Sequence, residues 1–596
     1  MHSILLLALA LAACAPAVST GDCAPHCREA PDHAAAGGAS ADPDLDRLLD
    51  SLPLRARAAQ LIMPWLTGAY TAYDAGSRGQ MDRWVDSLGV GGIIVSIGSP
   101  LDLAAKLNHL QTRSRLPLLV ASDLEGGTAI RLVGGTAFPT NMGVAAGGRE
   151  SDAYAMGRVT AVEARAVGVH LAFAPVADVN SNPANPIINV RSFGEDPRAV
   201  ARFVAAAVRG MEEHGLLATA KHFPGHGDTE TDSHIALPVV TAGWRRLDSL
   251  ELVPFRAAID AGASAVMSAH LAFSALRPGN ARPATVMPEV LTALLRDSLR
   301  FEGLVVTDAL DMGALVNAYG AGETAVLALL AGADLLLQPA SPEAAVDAIV
   351  RAVETGRVSR ARLDRSVRRV LALKQRLGLF RRRTVPLDGV PGVVGSEANW
   401  QTAREVAARS VVLLHDSLGT LDALRAGPRR VVLVTYAEEL NLTAGVALAN
   451  ELRAAGDTVA AFRLWPASGA ASFDSVRALV RAGGVPVFAI AVRPTPWRGT
   501  VGMPDALAGL VREVARARPA VLVSLGSPYL VTQAPDAAAY LIGWAANPAA
   551  EWAVAQALSG AAITGRLPIR VPPGYPLGFG LERSAALRRP PSHSAR

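Results

Sequence analysis

Between residues 45 and 380 the chain alternates short, almost wholly apolar runs with longer stretches whose apolar residues recur at helical spacing. The apolar runs fall at 92–97, 118–122, 171–174, 218–221, 265–268, 304–307 and 333–337, and the helical pattern at 99–113, 199–214, 247–261, 288–299 and 344–354. A strand that is apolar on both faces has both faces buried, as in a parallel sheet covered by helices. Seven or so strand–helix units predict an α/β fold, a (β/α) TIM-like barrel over residues 44–385. The pattern alone is also compatible with a doubly wound sheet. Residues 386–399, rich in Gly and Val, read as a linker. Beyond it, runs at 411–414, 431–435, 485–492, 520–525 and 539–544 predict a second α/β sandwich domain over 400–582, with an open parallel sheet. The Arg-, Pro- and Ser-rich residues 583–596 are expected to be a disordered tail.

The start of the chain follows a different logic. An apolar run at 4–11 is too short to span a bilayer and ends in Leu11-Ala12-Ala13-Cys14. Small residues before a cysteine resemble a bacterial lipoprotein signal over 1–14, with Cys14 as the lipidated residue. The expected location is then the exported side of a bacterial membrane, periplasmic or cell-surface, held by a lipid anchor alone. Only His2 precedes the run, with no Lys or Arg, so an ordinary cleaved signal peptide is the alternative reading. Residues 15–43 read as a flexible tether. Cys23 and Cys27 lie in that tether and are able to pair in an oxidising compartment, but not to staple a domain. With His26 and His33 they have no zinc spacing, and no metal is expected. A formal charge of +4 and the absence of clustered Lys/Arg give no basis for a nucleic-acid partner.

In a barrel the chemistry sits where strands end, at the C-terminal face. Asp123-Leu124-Glu125-Gly126-Gly127 follows one strand, and Lys221-His222-Phe223-Pro224-Gly225-His226-Gly227 follows another, with Asp232-Ser233-His234 close behind. His270 and Asp308 follow two more. Each alone reads equally well as a helix cap or a satisfied core residue. Four strand ends of one polar character point to a site. A strand-end carboxylate such as Asp308 is suited to attack an electrophilic carbon, and a glycosidic bond needs an acid on the opposite side. Histidine titrates near neutrality and works best when a carboxylate orients it. Asp232 and His234, two apart, point the same way in an extended segment.

These stretches resemble glycoside hydrolase family 3, in its β-N-acetylglucosaminidase branch. So do Phe173-Ala174-Pro175-Val176-Ala177-Asp178-Val179-Asn180, Arg191-Ser192-Phe193-Gly194-Glu195-Asp196-Pro197 and Val306-Thr307-Asp308-Ala309-Leu310-Asp311-Met312. The resemblance implies retention of anomeric configuration, no metal or organic cofactor, and release of terminal β-linked N-acetylglucosamine. Muropeptides, other cell-wall fragments or chitin oligomers are the expected substrates. It implies that Asp308 is the nucleophile, His234 the acid/base and Asp232 its partner. Asp123, Arg191, Lys221 and His222 match positions that hold sugar hydroxyls, with Arg131 as an addition. Two departures bear on substrate contact: Thr128 stands where the family often has arginine, and Thr285-Val286-Met287-Pro288 replaces a more usual Thr-Leu-Ser. Asp311 reads as a helix N-terminal carboxylate. Rival readings are a phosphorylase, for which histidine tolerates an incoming phosphate anion, a β-glucosidase, and a sugar-binding lipoprotein without catalysis. Phosphate dependence separates the first, sugar preference the second and absence of turnover the third.

Overall fold

The computed structural model describes residues 42–68, 75–231, 237–241, 243–273, 282–495 and 501–586. Eight parallel strand positions follow one another around a barrel. The first is Ile62–Met63 with Trp65–Leu66, interrupted at Pro64. Then come Gly92–Val95, Leu119–Ser122, Leu171–Ala172, Leu217–Phe223, Ala265–Ser268, Leu304–Val306 and Leu336–Leu337. Neighbours pair in parallel in that order. The ends close: Val306 bridges Leu335, and Ile62 and Met63 pair with Leu336 and Leu337. Closure excludes the doubly wound alternative. The first strand escaped the sequence pattern because Pro64 cuts its run and donates no ladder hydrogen bond. The Pro64 carbonyl still accepts from the Ile94 amide at 2.9 Å.

Several helices begin with one device, a polar cap followed by proline. Ser99, Asp196, Ser341 and Asn547 each accept from the backbone N–H three residues on, at 3.3, 2.7, 3.2 and 3.0 Å. Pro100, Pro197, Pro342 and Pro548 stand at the first helical position, where the missing N–H costs nothing and φ is already helical. The loops between strand ends and helices therefore stop at defined residues.

The second domain is a six-stranded sheet in the order Val412–Asp416, Ala539–Ile542, Val521–Ser524, Val485–Ile490, Arg430–Tyr436, Thr458–Leu464. It is mixed, not purely parallel as expected, because Val412–Asp416 runs antiparallel to its neighbour. Thr458–Leu464 was missed because it is an edge strand with several partly exposed residues, so its pattern is diluted. The expected linker is not a free segment. It carries the short helix Val390–Val393, with Val390 buried. The buried carboxylate of Glu163, on the barrel helix Glu150–Ala166, holds the crossing by accepting from Gly395 N at 2.8 Å and Asn399 Nδ2 at 2.9 Å. Residues 583–586, expected in the tail, are anchored: Arg583 N donates to Ile563 O at 3.0 Å and Ala586 N to Gly560 O at 2.8 Å. Cys14 and residues 1–41 lie outside the described residues. Among the described residues no helix is long and apolar enough to cross a membrane.

Candidate active site

The third strand ends at Ser122, and its loop delivers Asp123 and Glu125 to the barrel mouth. The fifth strand delivers Lys221, 2% exposed, between them. The Lys221 ammonium lies 2.9 Å from Asp123 Oδ1 and 2.6 Å from Glu125 Oε1. Arg191, at the end of the short helix Asn189–Arg191 in the fourth strand's loop, closes on Glu125 with two parallel bonds. Nε donates to Oε2 at 2.9 Å and Nη2 to Oε1 at 2.8 Å. Arg131 reaches Asp123 Oδ2 at 3.4 Å. Two carboxylates thus face three cations. Burial raises the Glu125 pKa, but Arg191 and Lys221 more than offset it and hold the carboxyl well below its ordinary range. Asp123 is lowered in the same way by Lys221 and Arg131 against its burial. Burial alone would lower the Lys221 pKa, and the two carboxylates raise it instead.

His222, next along the fifth strand, is oriented from behind. Its Nδ1 lies 2.7 Å from Asp178 Oδ2, and Asp178 Oδ1 accepts from the amides of His222 at 3.1 Å and His226 at 2.7 Å. A carboxylate only accepts, so Nδ1 carries the proton. Nε2 then faces Arg191 Nη2 at 3.4 Å.

Asp308 follows the seventh strand, Leu304–Val306, and is partly buried. Its Oδ1 accepts from the Ala309 amide at 2.8 Å. Burial pushes its pKa up, but His270, His222, that amide and Lys221 bring it below its ordinary 3.8. The carboxylate is therefore ionised at neutral pH and lies within electrostatic reach of His222 and Lys221. His270 is fixed by Ala309 O at 2.8 Å on Nε2 and by Thr285 Oγ1 at 2.8 Å on Nδ1.

The structure thus brings together Asp123, Arg131, Arg191, Lys221, His222 and Asp308. Asp232 and His234 lie outside the described residues. Both departures from the family pattern turn inward. Thr128 is buried and donates its hydroxyl to Glu163, and Thr285 is buried beneath His270. Asp311 is not a cap: it precedes the helix Gly313–Tyr319 by two residues and accepts from Gln338 Nε2 at 2.8 Å. Beside it opens a cavity of about 350 Å³ lined by Trp65, Trp84, Lys106, Asp311 and Gln338 among others, to one side of the ion-paired cluster.

Sequence reasoning did not single out Glu125 or Asp178, although both stood inside quoted motifs. It had no signal at all for Arg493. That residue follows the second-domain strand Val485–Ile490, and its side chain is solvent-exposed yet within electrostatic reach of Arg131 and Glu125. Asn180 Nδ2 donates to Tyr529 Oη at 3.0 Å, a second link from the site's loops to that domain. Among the described residues no group of three or more His, Cys, Asp or Glu is arranged to hold a metal ion.

Residues 53–373 match the glycosyl hydrolase family 3 N terminal domain, and the chain belongs to that family. It is 38% identical over 354 residues to a β-N-acetylglucosaminidase/β-glucosidase of Cellulomonas fimi, covering 58% of this chain and 63% of that protein. The chain therefore spans less than two thirds of that relative's length. Among solved structures it is similar to a glycoside hydrolase family 3 β-N-acetylglucosaminidase from Paenibacillus sp. str. FPU-7, with TM-score 0.77 and 33% identity, covering 87% of this chain and 99% of that one. A β-glucoside phosphorylase matches with TM-score 0.79 and 25% identity, covering 88% and 96%.

Proposed function

We propose that this protein is a retaining glycoside hydrolase that releases terminal β-linked N-acetylglucosamine from cell-wall fragments or related oligosaccharides. The observation that carries the reading is an ionised Asp308 facing the Asp123–Lys221–Glu125–Arg191–His222 cluster. The β-N-acetylglucosaminidase names of the Cellulomonas and Paenibacillus relatives support the choice of sugar. In this reading Asp123 accepts hydrogen bonds from sugar hydroxyls while Lys221 and Arg191 donate charge-assisted bonds to their oxygens. Asp308 attacks the anomeric carbon as His234 gives its proton to the departing oxygen. The sugar is then held as an ester of Asp308. His234, now neutral, takes a proton from water, whose oxygen attacks the same carbon, freeing Asp308 and restoring the original configuration. Asp232 orients His234 and stabilises its charged form. The N-terminal motif supports export with lipidation at Cys14.

The test is turnover of nitrophenyl β-N-acetylglucosaminide against the β-glucoside by protein lacking residues 1–43. Preference for the N-acetyl sugar is expected, and glucoside preference contradicts the reading. A second reading, transfer of the sugar from Asp308 to phosphate, is favoured by the likeness to the phosphorylase. Turnover that requires phosphate and yields a sugar 1-phosphate would replace hydrolysis with phosphorolysis.

A further inference from the structure

Glu251 is a buried acid near the site that the chemistry above leaves without a task. It ends the π-helical stretch Leu247–Glu251, just before the helix Leu252–Asp260, is 1% exposed, and neither carboxyl oxygen has a hydrogen-bond partner among the described residues. It lies directly beneath the loop that leaves the fifth strand. A Cβ added to Gly225 (φ +134°) would meet Glu251 Oε2 at 2.7 Å, so the glycine is required by that contact. A Cβ on Gly227 would meet Val179 O at 1.6 Å, so the loop is also pressed against the fourth strand's exit. Asp178, which receives the His222 and His226 amides and the His222 ring, is the shared anchor.

We propose that Glu251 is a positioning residue that works as an uncharged acid, seating the 225–228 turn against Asp178 and so holding His222 in place. The charged groups facing it are Asp178, Asp228 on the turn, and Arg246 on the helix Trp244–Arg246. Arg246 is spoken for by Asp228, at 2.9 Å. His226, also on the turn, is kept neutral, its pKa pushed down to about 4 by burial and by His222. An ionised Glu251 would therefore stand buried, with no donor among the described residues, beside two acidic neighbours, an arrangement that strongly disfavours charge. Burial and Asp178 push its pKa up to about 8, with Arg246 opposing and Asp228 adding to the rise. Below that pH the acid is neutral and the turn is seated. Above it the new charge repels Asp178 and Asp228, and the seat is lost.

The inference uses the activity proposed above only as its readout. The experiment is kcat/KM against pH on nitrophenyl β-N-acetylglucosaminide for wild type and Glu251→Gln. Wild type should lose activity as pH rises through about 8, while Glu251→Gln keeps its neutral-pH activity and shifts that loss upward by about one pH unit or more. An unchanged alkaline limb in the variant assigns the limb to another group, His234 foremost, and overturns the inference. If wild type turns over no such substrate, the proposed activity fails and the same comparison is made on stability. The folded proton affinity exceeds the unfolded one, so the stability of wild type relative to the variant should fall between pH 4.5 and about 8. Should Glu251→Gln not fold, Arg246→Met removes the cation that favours the charged form. It should move the alkaline loss to higher pH, and an unmoved limb overturns the inference.

Discussion

Lys221 carries its charge where water scarcely reaches it, and only Asp123 and Glu125 make that tolerable. Removing one member of such a buried pair typically costs about 3–5 kcal/mol, because the partner is left dry and unpaired. Glu125→Gln takes from Arg191 the carboxylate it grips and from Lys221 one of its two, so a loss in this range is expected by denaturant unfolding, with KM raised. The pH dependence has a definite sign. Glu125 is depressed below its ordinary 4.5, so its contribution is present above that pH and lost as pH falls through the folded value. Glu125→Gln should therefore flatten the acid side of the stability profile. Asp308→Asn should lower kcat by roughly four orders of magnitude or more while the protein stays folded, since the carboxylate is proposed to react and the side-chain oxygen of asparagine still accepts from the Ala309 amide. Residue types were readable from the motifs at this scale, but partnerships were not. Nothing in a linear motif says that Arg191 will grip Glu125, 66 positions away.

The elements follow from patterns as local as a polar cap before a proline, and there the sequence was most legible. Asp196→Ala removes the cap of Pro197–Glu212 and should cost about 1 kcal/mol in thermal unfolding. What hides an element is whatever breaks its period: Pro64 in the first barrel strand, and the partial exposure of the edge strand Thr458–Leu464. Strand-to-helix clamps are invisible for another reason, that their members are distant in sequence. Asp334, fully buried, takes Val305 N at 3.1 Å, Arg296 Nη2 at 2.5 Å and Arg369 Nη1 at 3.1 Å. Burial opposes its ionisation, but Arg369, Arg296 and Arg362 hold its pKa at about 2. Asp334→Asn should destabilise by about 3 kcal/mol at neutral pH. The difference from wild type should shrink only as pH falls below 3.8 toward 2, because a depressed carboxylate stabilises above its unfolded pKa.

At the scale of the whole molecule, the two domains share more than a linker. Asp152 of the barrel takes a bidentate pair from Arg409 at 3.0 and 2.8 Å, and Asn547 Nδ2 donates to Phe138 O at 2.8 Å. The second domain also brings Arg493 within electrostatic reach of Arg131 and Glu125. Arg493→Ala should accordingly raise KM more than it lowers kcat, and an unchanged KM would confine the second domain to a packing role. The division into barrel and second domain was readable because each has its own apolar rhythm. The docking between them was not, because it depends on single polar residues. For the anchor proposed at Cys14, full-length protein expressed in bacteria should incorporate labelled fatty acid, and Cys14→Ser should not.

The proposal that Asp308 forms a covalent ester is tested most directly by trapping that ester. A fluorinated N-acetylglucosaminyl substrate with a good leaving group, which slows the second step more than the first, should add one sugar to the intact protein. Peptide mapping should place it on Asp308, and Asp308→Asn should acquire none. A sugar attached to another residue, or turnover with inverted configuration and no adduct, would contradict the account.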